Sequence, residues 1–272
     1  MPRRYASDRS SVRLADRFDA FFIDLDGVVY VGEEALPGAV DAIAQLRADG
    51  KRILFLTNDP RGARRDYAAK LDRLGIPAIE DDVLTSAAAT AVYLAQHEDV
   101  EGRTAYVIGT DALKDEIRGV GLRVLEGEDV HDADFVVVGG HGGFDYWELK
   151  LATQAILRGA RLYACGRDAT FPMPDGPWPA TGAIVAAIET ATGTMAIAVG
   201  KPEPAMFEAA RAIVAPIQRI AVVGDNPASD IEGGRTAGLA TILVDPAGAV
   251  RTETRADFVV VDLRGIATDS RG

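Results

Sequence analysis

The sequence predicts an α/β fold built on parallel sheets. Short, nearly continuous apolar runs recur along the chain, and stretches with apolar residues at helical spacing lie between them. With 272 residues, 48% hydrophobic and 26% charged, the chain is large and apolar enough to bury those runs in one large or two moderate domains. Strands apolar on both sides suit a sheet covered by helices on both faces, and strand–helix alternation is the pattern of parallel α/β architecture.

In chain order, buried strands are expected at Phe21–Ile23, Ile53–Leu56, Ala105–Ile108, Phe135–Val138, Ala196–Val199, Ile220–Val223, Thr241–Val244 and Phe258–Val261. Each is a continuous apolar run of strand length, without the alternation of a half-exposed strand. Gly38–Ala48, Arg64–Leu74, Tyr146–Leu157 and Ala205–Ile213 carry apolar residues at helical spacing and are expected to be amphipathic helices. Gly166 to Gly182 contains Pro172, Pro174, Pro177 and Pro179. Proline fixes φ and lacks an N–H, so this stretch is expected to be a long loop. No internal repeat or low-complexity tract is present.

A net charge of −12 opposes nucleic acid or an anionic membrane surface as the main partner, while small anions remain compatible because a local cation outweighs a distant field. The one cysteine, Cys165, has no partner for an intramolecular disulfide, and nothing resembles a thiolate metal cluster, so a reducing cytoplasm is expected. Met1 to Arg17 carries arginines at positions 3, 4, 9, 13 and 17 with no apolar stretch after them, and is expected to be a frayed polar terminus rather than an export signal. No segment approaches the roughly 18 apolar residues of a membrane span. The expectation is a soluble protein.

Four stations carry chemistry. At Phe21–Val28 an apolar strand runs into Asp24-Leu25-Asp26-Gly27, two carboxylates one residue apart. Ligands of open α/β sheets sit beyond the carboxyl ends of strands, where such a pair can bind a hard cation or divide the work of nucleophile and general acid. At the second, Leu54-Phe55-Leu56 ends in Thr57-Asn58, whose hydroxyl and amide can donate to phosphate oxygens. The third, Val199-Gly200-Lys201-Pro202, places a point charge after a strand and close before a helix. In the fourth, Val222-Val223-Gly224-Asp225 is followed by Asp230, again an acid at a strand end with a second five positions on. Taken singly, each station reads as readily as a turn, a cap or a solvated charge. Their order, each after an apolar run, is far more specific.

That order resembles the haloacid dehalogenase superfamily. The phrases Val83-Leu84-Thr85-Ser86, Thr181-Gly182-Ala183-Ile184 and Thr192-Gly193 are similar to its NagD-like branch, which carries a large α/β cap of the C2 type between the second and third motifs. The resemblance spans roughly Phe21 to Asp262. It implies a Rossmann-like, doubly wound parallel-sheet core made of residues 1–84 and 192–272, with an inserted α/β cap at 85–191 that contains the proline-rich loop.

The resemblance implies a magnesium-dependent phosphatase acting on a small phosphorylated metabolite. Asp24 would attack phosphorus to form an aspartyl phosphate, and Asp26 would protonate the leaving oxygen and then activate water. Magnesium would be held by Asp24, the backbone carbonyl of Asp26 and Asp225, with Asp230 as ligand or support. Thr57, Asn58 and Lys201 would hold the transferring group. Asp26 favours phosphatase over dehalogenase, because halide leaves without a proton. Two departures stand out: Asp59 follows Asn58 where the branch has a second asparagine, and the cap reads Cys165-Gly166-Arg167-Asp168 without the usual asparagine. Arg167 and Asp168 are the candidates for substrate selection. His97, His131 and His141 lack a metal spacing and are expected to be surface or packing residues. Arg61, Arg64 and Arg65 read as a solvated helix face in preference to substrate binding, and Trp147 and Trp178 as packing residues, with substrate contact open to Trp178 in the cap loop. A phosphotransferase to an acceptor other than water, a non-catalytic phosphometabolite sensor and a homodimer all remain open at this stage.

Overall fold

The computed structural model describes residues 13–171, 173, 175–246, 248 and 255–268. The stretch expected to fray therefore lies outside the described residues up to residue 12. Beyond it, Leu14–Arg17 forms one 3-10 turn with Ala15 fully buried.

The first sheet has six parallel strands. Their spatial order is Phe258–Val260, Ala240–Val244, Ile220–Gly224, Ala20–Asp24, Arg52–Thr57, Val83–Thr85. From the central Ala20–Asp24 strand the chain builds outward on one side, then returns to build on the other. The carboxyl ends of the strands on either side of that reversal open the crevice in which an α/β sheet binds its ligand.

Ala20–Asp24 is central because both its faces are apolar. Phe21 and Ile23 join the cluster under the helices Ala39–Ala48 and Arg64–Arg73, whereas Ala20 and Phe22 join the opposite cluster with Pro204–Val214. Phe21, Phe22 and Ile23 have no exposed surface. Phe22→Ala is expected to cost about 3–5 kcal/mol of unfolding free energy through lost burial and the cavity left behind. Denaturant unfolding should show the lower midpoint, and an unchanged midpoint would mean that the strand is not the keel of the core.

The second sheet has five parallel strands, ordered Ile197–Ala198, Arg161–Ala164, Phe135–Gly140, Thr104–Gly109, Arg123–Val124. Tyr146–Leu157 and Thr181–Thr192 cover one face, and Ser86–His97 with Asp111–Gly119 cover the other. Ser86–His97 faces both sheets. Its Ala88 and Ala89 enter a cluster of the first sheet, while Ala87, Ala91 and Leu94 enter one of the second. Because small apolar residues lie on both sides of this helix, its sequence has no contrast of faces to announce it. Thr85 caps it, its hydroxyl accepting from Ala88 N at 3.1 Å.

Two expectations need correction. The proline-rich stretch is not loop throughout: Thr170–Phe171 pairs antiparallel with Trp178–Pro179, and helix Thr181–Thr192 starts inside its far end. Pro179 can take part because a two-stranded ribbon has free edges that need no donor from it. The strand expected at Ala196–Val199 is shorter, Ile197–Ala198, and completes the second sheet rather than the first. Among the described residues no helix is long and apolar enough to cross a membrane.

Candidate active site

Three carboxylates and one ammonium meet at the carboxyl ends of the central strands. Asp24 is the last residue of its strand, and Asp225 follows directly on the neighbouring Ile220–Gly224. Beyond Asp24 the chain turns back on itself, Val29 N and Tyr30 N both donating to Leu25 O and Gly27 N donating to Tyr30 O. Gly27 has φ +83°, and a Cβ there would lie 2.2 Å from Asp225 Oδ2. Glycine thus permits both the turn and the approach of the second acid. Gly224 serves likewise, because a Cβ on it would meet Asp230 Cβ at 2.2 Å.

Asp230 reaches the site from the wide helical turn Pro227–Ile231. Asn226 caps that turn, its Oδ1 accepting from Ala228 N at 2.9 Å and Ser229 N at 3.2 Å. Asp230 Oδ2 accepts from Asn226 N at 3.1 Å, and the residue is only 1% exposed. Lys201, 4% exposed, donates from Nζ to Asp24 Oδ1 at 2.5 Å and to Asp230 Oδ1 at 2.6 Å. A buried ammonium must be paired, and here it has two partners. Burial opposes its charge, but the fields of Asp230 and Asp24 outweigh that and raise its pKa.

The acids are crowded. Burial raises Asp24, Lys201 opposes that, and the charges of Asp230 and Asp225 add to the rise. Asp225 is raised by burial and then by Asp230. Carboxylate oxygens of Asp24, Asp225 and Asp230 lie within 4.8 Å of one another. Three carboxylates face one ammonium, so full ionisation leaves two negative charges uncompensated. An all-oxygen donor set with that excess fits a hard divalent cation such as magnesium. Asp26 stands outside this cluster, exposed, and makes no ion pair among the described residues. Desolvation by the surrounding protein still raises its carboxyl, with Lys70 opposing and Asp59 reinforcing the rise.

The second station lines the other wall. Thr57, 4% exposed, accepts at Oγ1 from Asp59 N at 3.1 Å. Asn58 Nδ2 donates to Lys201 O at 2.8 Å and to Asp168 Oδ2 at 3.0 Å, while its buried Oδ1 has no hydrogen-bond partner. Asn58 thus ties the first sheet to the loop that follows the strand Arg161–Ala164. Of the two residues expected to select substrate, Asp168 meets this wall. Arg167 is turned to Glu189, at 2.9 Å, and to Ala196 O, at 2.9 Å, on the side of helix Thr181–Thr192.

Several contacts have no counterpart in the sequence reading. Asp59, the departure beside Asn58, binds the Nε–Nη2 edge of Arg61, with Oδ1 accepting from Nε at 2.7 Å and Oδ2 from Nη2 at 2.9 Å. Arg61 also lies 4.2 Å from the Phe171 ring centroid in the proline-rich ribbon. Arg64 Nε pairs with Glu116 of helix Asp111–Gly119 at 2.9 Å. Arg61, though exposed, and Arg64 therefore bridge the sheets, while Arg65 lies on the exposed face expected of it; the acid two residues before Arg61 is the local signal for its pairing, but Phe171 is distant in sequence. Trp147 and Trp178 are 63% and 44% exposed, contrary to the expected packing role. His97 stacks on Tyr93, His141 Nε2 pairs with Glu148 at 2.9 Å, and His131 lies 3.7 Å from Asp132, none of them bonded to a catalytic carboxylate. Cys165 is buried and free, its thiol pushed up to about 12 by burial.

Comparison with known proteins matches residues 21–123 to the model of haloacid dehalogenase-like hydrolases, and residues 198–266 to a second, HAD-hydrolase-like model. D-glycerol 3-phosphate phosphatase of Mycobacterium tuberculosis is 38% identical over 267 residues, covering 95% of this chain and 73% of the relative. Human glycerol-3-phosphate phosphatase is 35% identical, covering 94% of this chain and 88% of its own. A crystal structure of a glycerol phosphate phosphatase from Mycobacterium tuberculosis in complex with magnesium superposes with a TM-score of 0.86 at 35% identity, over 95% of this chain and 79% of that one.

Proposed function

This chain belongs to the haloacid dehalogenase-like hydrolases, and from that premise we propose that its five residues Asp24, Asp26, Lys201, Asp225 and Asp230 perform phosphate monoester hydrolysis on the phosphate of a small, hydroxylated alcohol such as glycerol. The protein is a magnesium-dependent phosphatase of small phosphorylated metabolites. The observation that carries the proposal is the junction of Lys201 with Asp24 and Asp230 beside Asp225, where Asp24 and Asp225 sit at the ends of adjacent strands.

Lys201 bonds one oxygen of Asp24, which fixes the rotation of the carboxylate and leaves its second oxygen to attack phosphorus. The O–P bond to Asp24 forms as the bond to the alcohol oxygen breaks, giving an aspartyl phosphate. Asp26, its carboxyl raised toward the protonated form, gives its proton to the departing alkoxide. As a carboxylate it then takes a proton from the water that attacks phosphorus, and Asp24 is released with inorganic phosphate. Asp24, Asp225 and Asp230, with the carbonyl of Asp26, would hold magnesium, which when bound supplies positive charge against the phosphoryl oxygens. Thr57 and Lys201 border the space for those oxygens, and Asn58 joins them once its amide exchanges Asp168 for a substrate oxygen.

Purified protein with magnesium is expected to release phosphate from glycerol phosphate. Exhaustive chelation should lower that rate by about 100-fold or more, restored by added magnesium, since the carboxylate excess is then left uncompensated against an incoming dianion. Full activity after chelation would overturn the metal assignment.

A further inference from the structure

Apart from the field of Asp59 at Asp26, the steps above use neither Asp59 nor Arg61, yet both stand beside the second station and within electrostatic reach of Asp26. Asp59 Oδ1 accepts from Arg61 N at 3.0 Å as well as from Nε, and Oδ2 takes Nη2, so the carboxylate and guanidinium are joined fork to fork. Arg61 O accepts from Thr110 Oγ1 at 2.9 Å, and Phe171 covers the guanidinium. The pair is therefore held from both sheets. Arg61 Nη1 makes no hydrogen bond among the described residues.

The other cations around the crevice are committed in the same way. Lys201 serves Asp24 and Asp230, Arg167 serves Glu189, and Lys70 lies 3.5 Å from Glu33 and 3.8 Å from the Tyr30 ring centroid. No cation among these is left to neutralise a second anionic group on a substrate. A free arginine at the position of Arg61 would be suited to that task.

We propose that Asp59 is a specificity-determining residue that acts through Arg61: by neutralising the guanidinium along its Nε–Nη2 edge it disfavours phosphate esters bearing a second anion, such as a carboxylate, and leaves the Nη1 side for an uncharged hydroxyl. This rests on the phosphatase reading and names the charge class of its substrate. The discrimination is by repulsion as much as attraction, because a carboxylate approaching Arg61 also approaches Asp59.

The test compares wild type, Asp59→Asn, Arg61→Gln and the double variant on glycerol 3-phosphate, 2-phosphoglycolate and p-nitrophenyl phosphate, with magnesium present. Asp59→Asn keeps the shape and frees the arginine. It is expected to raise the ratio of kcat/KM for phosphoglycolate over glycerol phosphate by about tenfold or more, chiefly through KM, while kcat for p-nitrophenyl phosphate stays within about threefold. Arg61→Gln, which leaves Asp59 bonded to Tyr67 but without its cation, should lower that ratio below wild type, and the double variant should lose the gain. An unchanged ratio in Asp59→Asn, or a gain that persists in the double variant, overturns the proposal. Calorimetric binding of 2-phosphoglycolate to the same four proteins reads the selection without turnover. A wild type that hydrolyses nothing therefore counts against the phosphatase reading alone, while equal binding to wild type and Asp59→Asn counts against the filter.

Discussion

Asp24→Asn is expected to lower kcat by roughly 10⁴-fold or more while the fold persists, an effect of the size seen when a nucleophile is removed from a machinery that acts as a unit. The amide is nearly isosteric and keeps an oxygen that can accept from Lys201, so the buried ammonium retains Asp230 and a weaker second partner. What is lost is the second oxygen as a nucleophile. The measurement is phosphate release over many turnovers, together with acid-quench trapping of protein-bound phosphate, which wild type should show and the variant should not. Substantial turnover by a folded Asp24→Asn would sink the nucleophile assignment, and phosphate trapped on the variant would place the covalent step elsewhere.

Asp26→Asn should lose about 10²- to 10⁴-fold on alkyl phosphates, the range for removal of a general acid. Its loss on aryl phosphates with good leaving groups should be much smaller, because a phenolate departs with little need of a proton. The basis is positional and electrostatic. Asp26 lies outside the Asp24, Asp225, Asp230 cluster, exposed, with a carboxyl raised by desolvation and by Asp59 against Lys70. A plot of log kcat/KM against leaving-group pKa should therefore be steeper for the variant than for wild type. Parallel lines would show that Asp26 acts on binding or on the fold rather than on the departing oxygen.

These effects also explain how much of the site could be read before any coordinate. Asp24, Thr57, Lys201 and Asp225 each follow an apolar run, and in a parallel sheet the residues that end adjacent strands must lie side by side. The sheet thus brings three of these distant places, Asp24, Thr57 and Asp225, into one site without help from side-chain packing, whereas Lys201 enters from behind the second-sheet strand Ile197–Ala198. Arg167 and Asp168 show the opposite case. Both lie in one short turn, and their charges alone made them equal candidates, yet Glu189 takes the first and Asn58 the second. Which partner each finds depends on residues 22 and 110 positions away. The same limit hid Arg61, whose ring partner Phe171 belongs to a ribbon inside a stretch too rich in proline to suggest strands.

The sequence by itself determined the parallel α/β architecture and the identity of the acids at the end of the first strand, because burial of continuous apolar runs and their alternation with helices are properties of local composition. Tertiary structure alone decided that Ser86–His97 is shared by both sheets, that Ile197–Ala198 completes the second sheet, and that Asp59 holds Arg61 beneath Phe171. The reason is physical. Hydrophobic burial is written residue by residue along the chain, whereas pairing of charges depends on which surfaces the packed elements bring within a few ångströms, and local spacing carries no record of that distance.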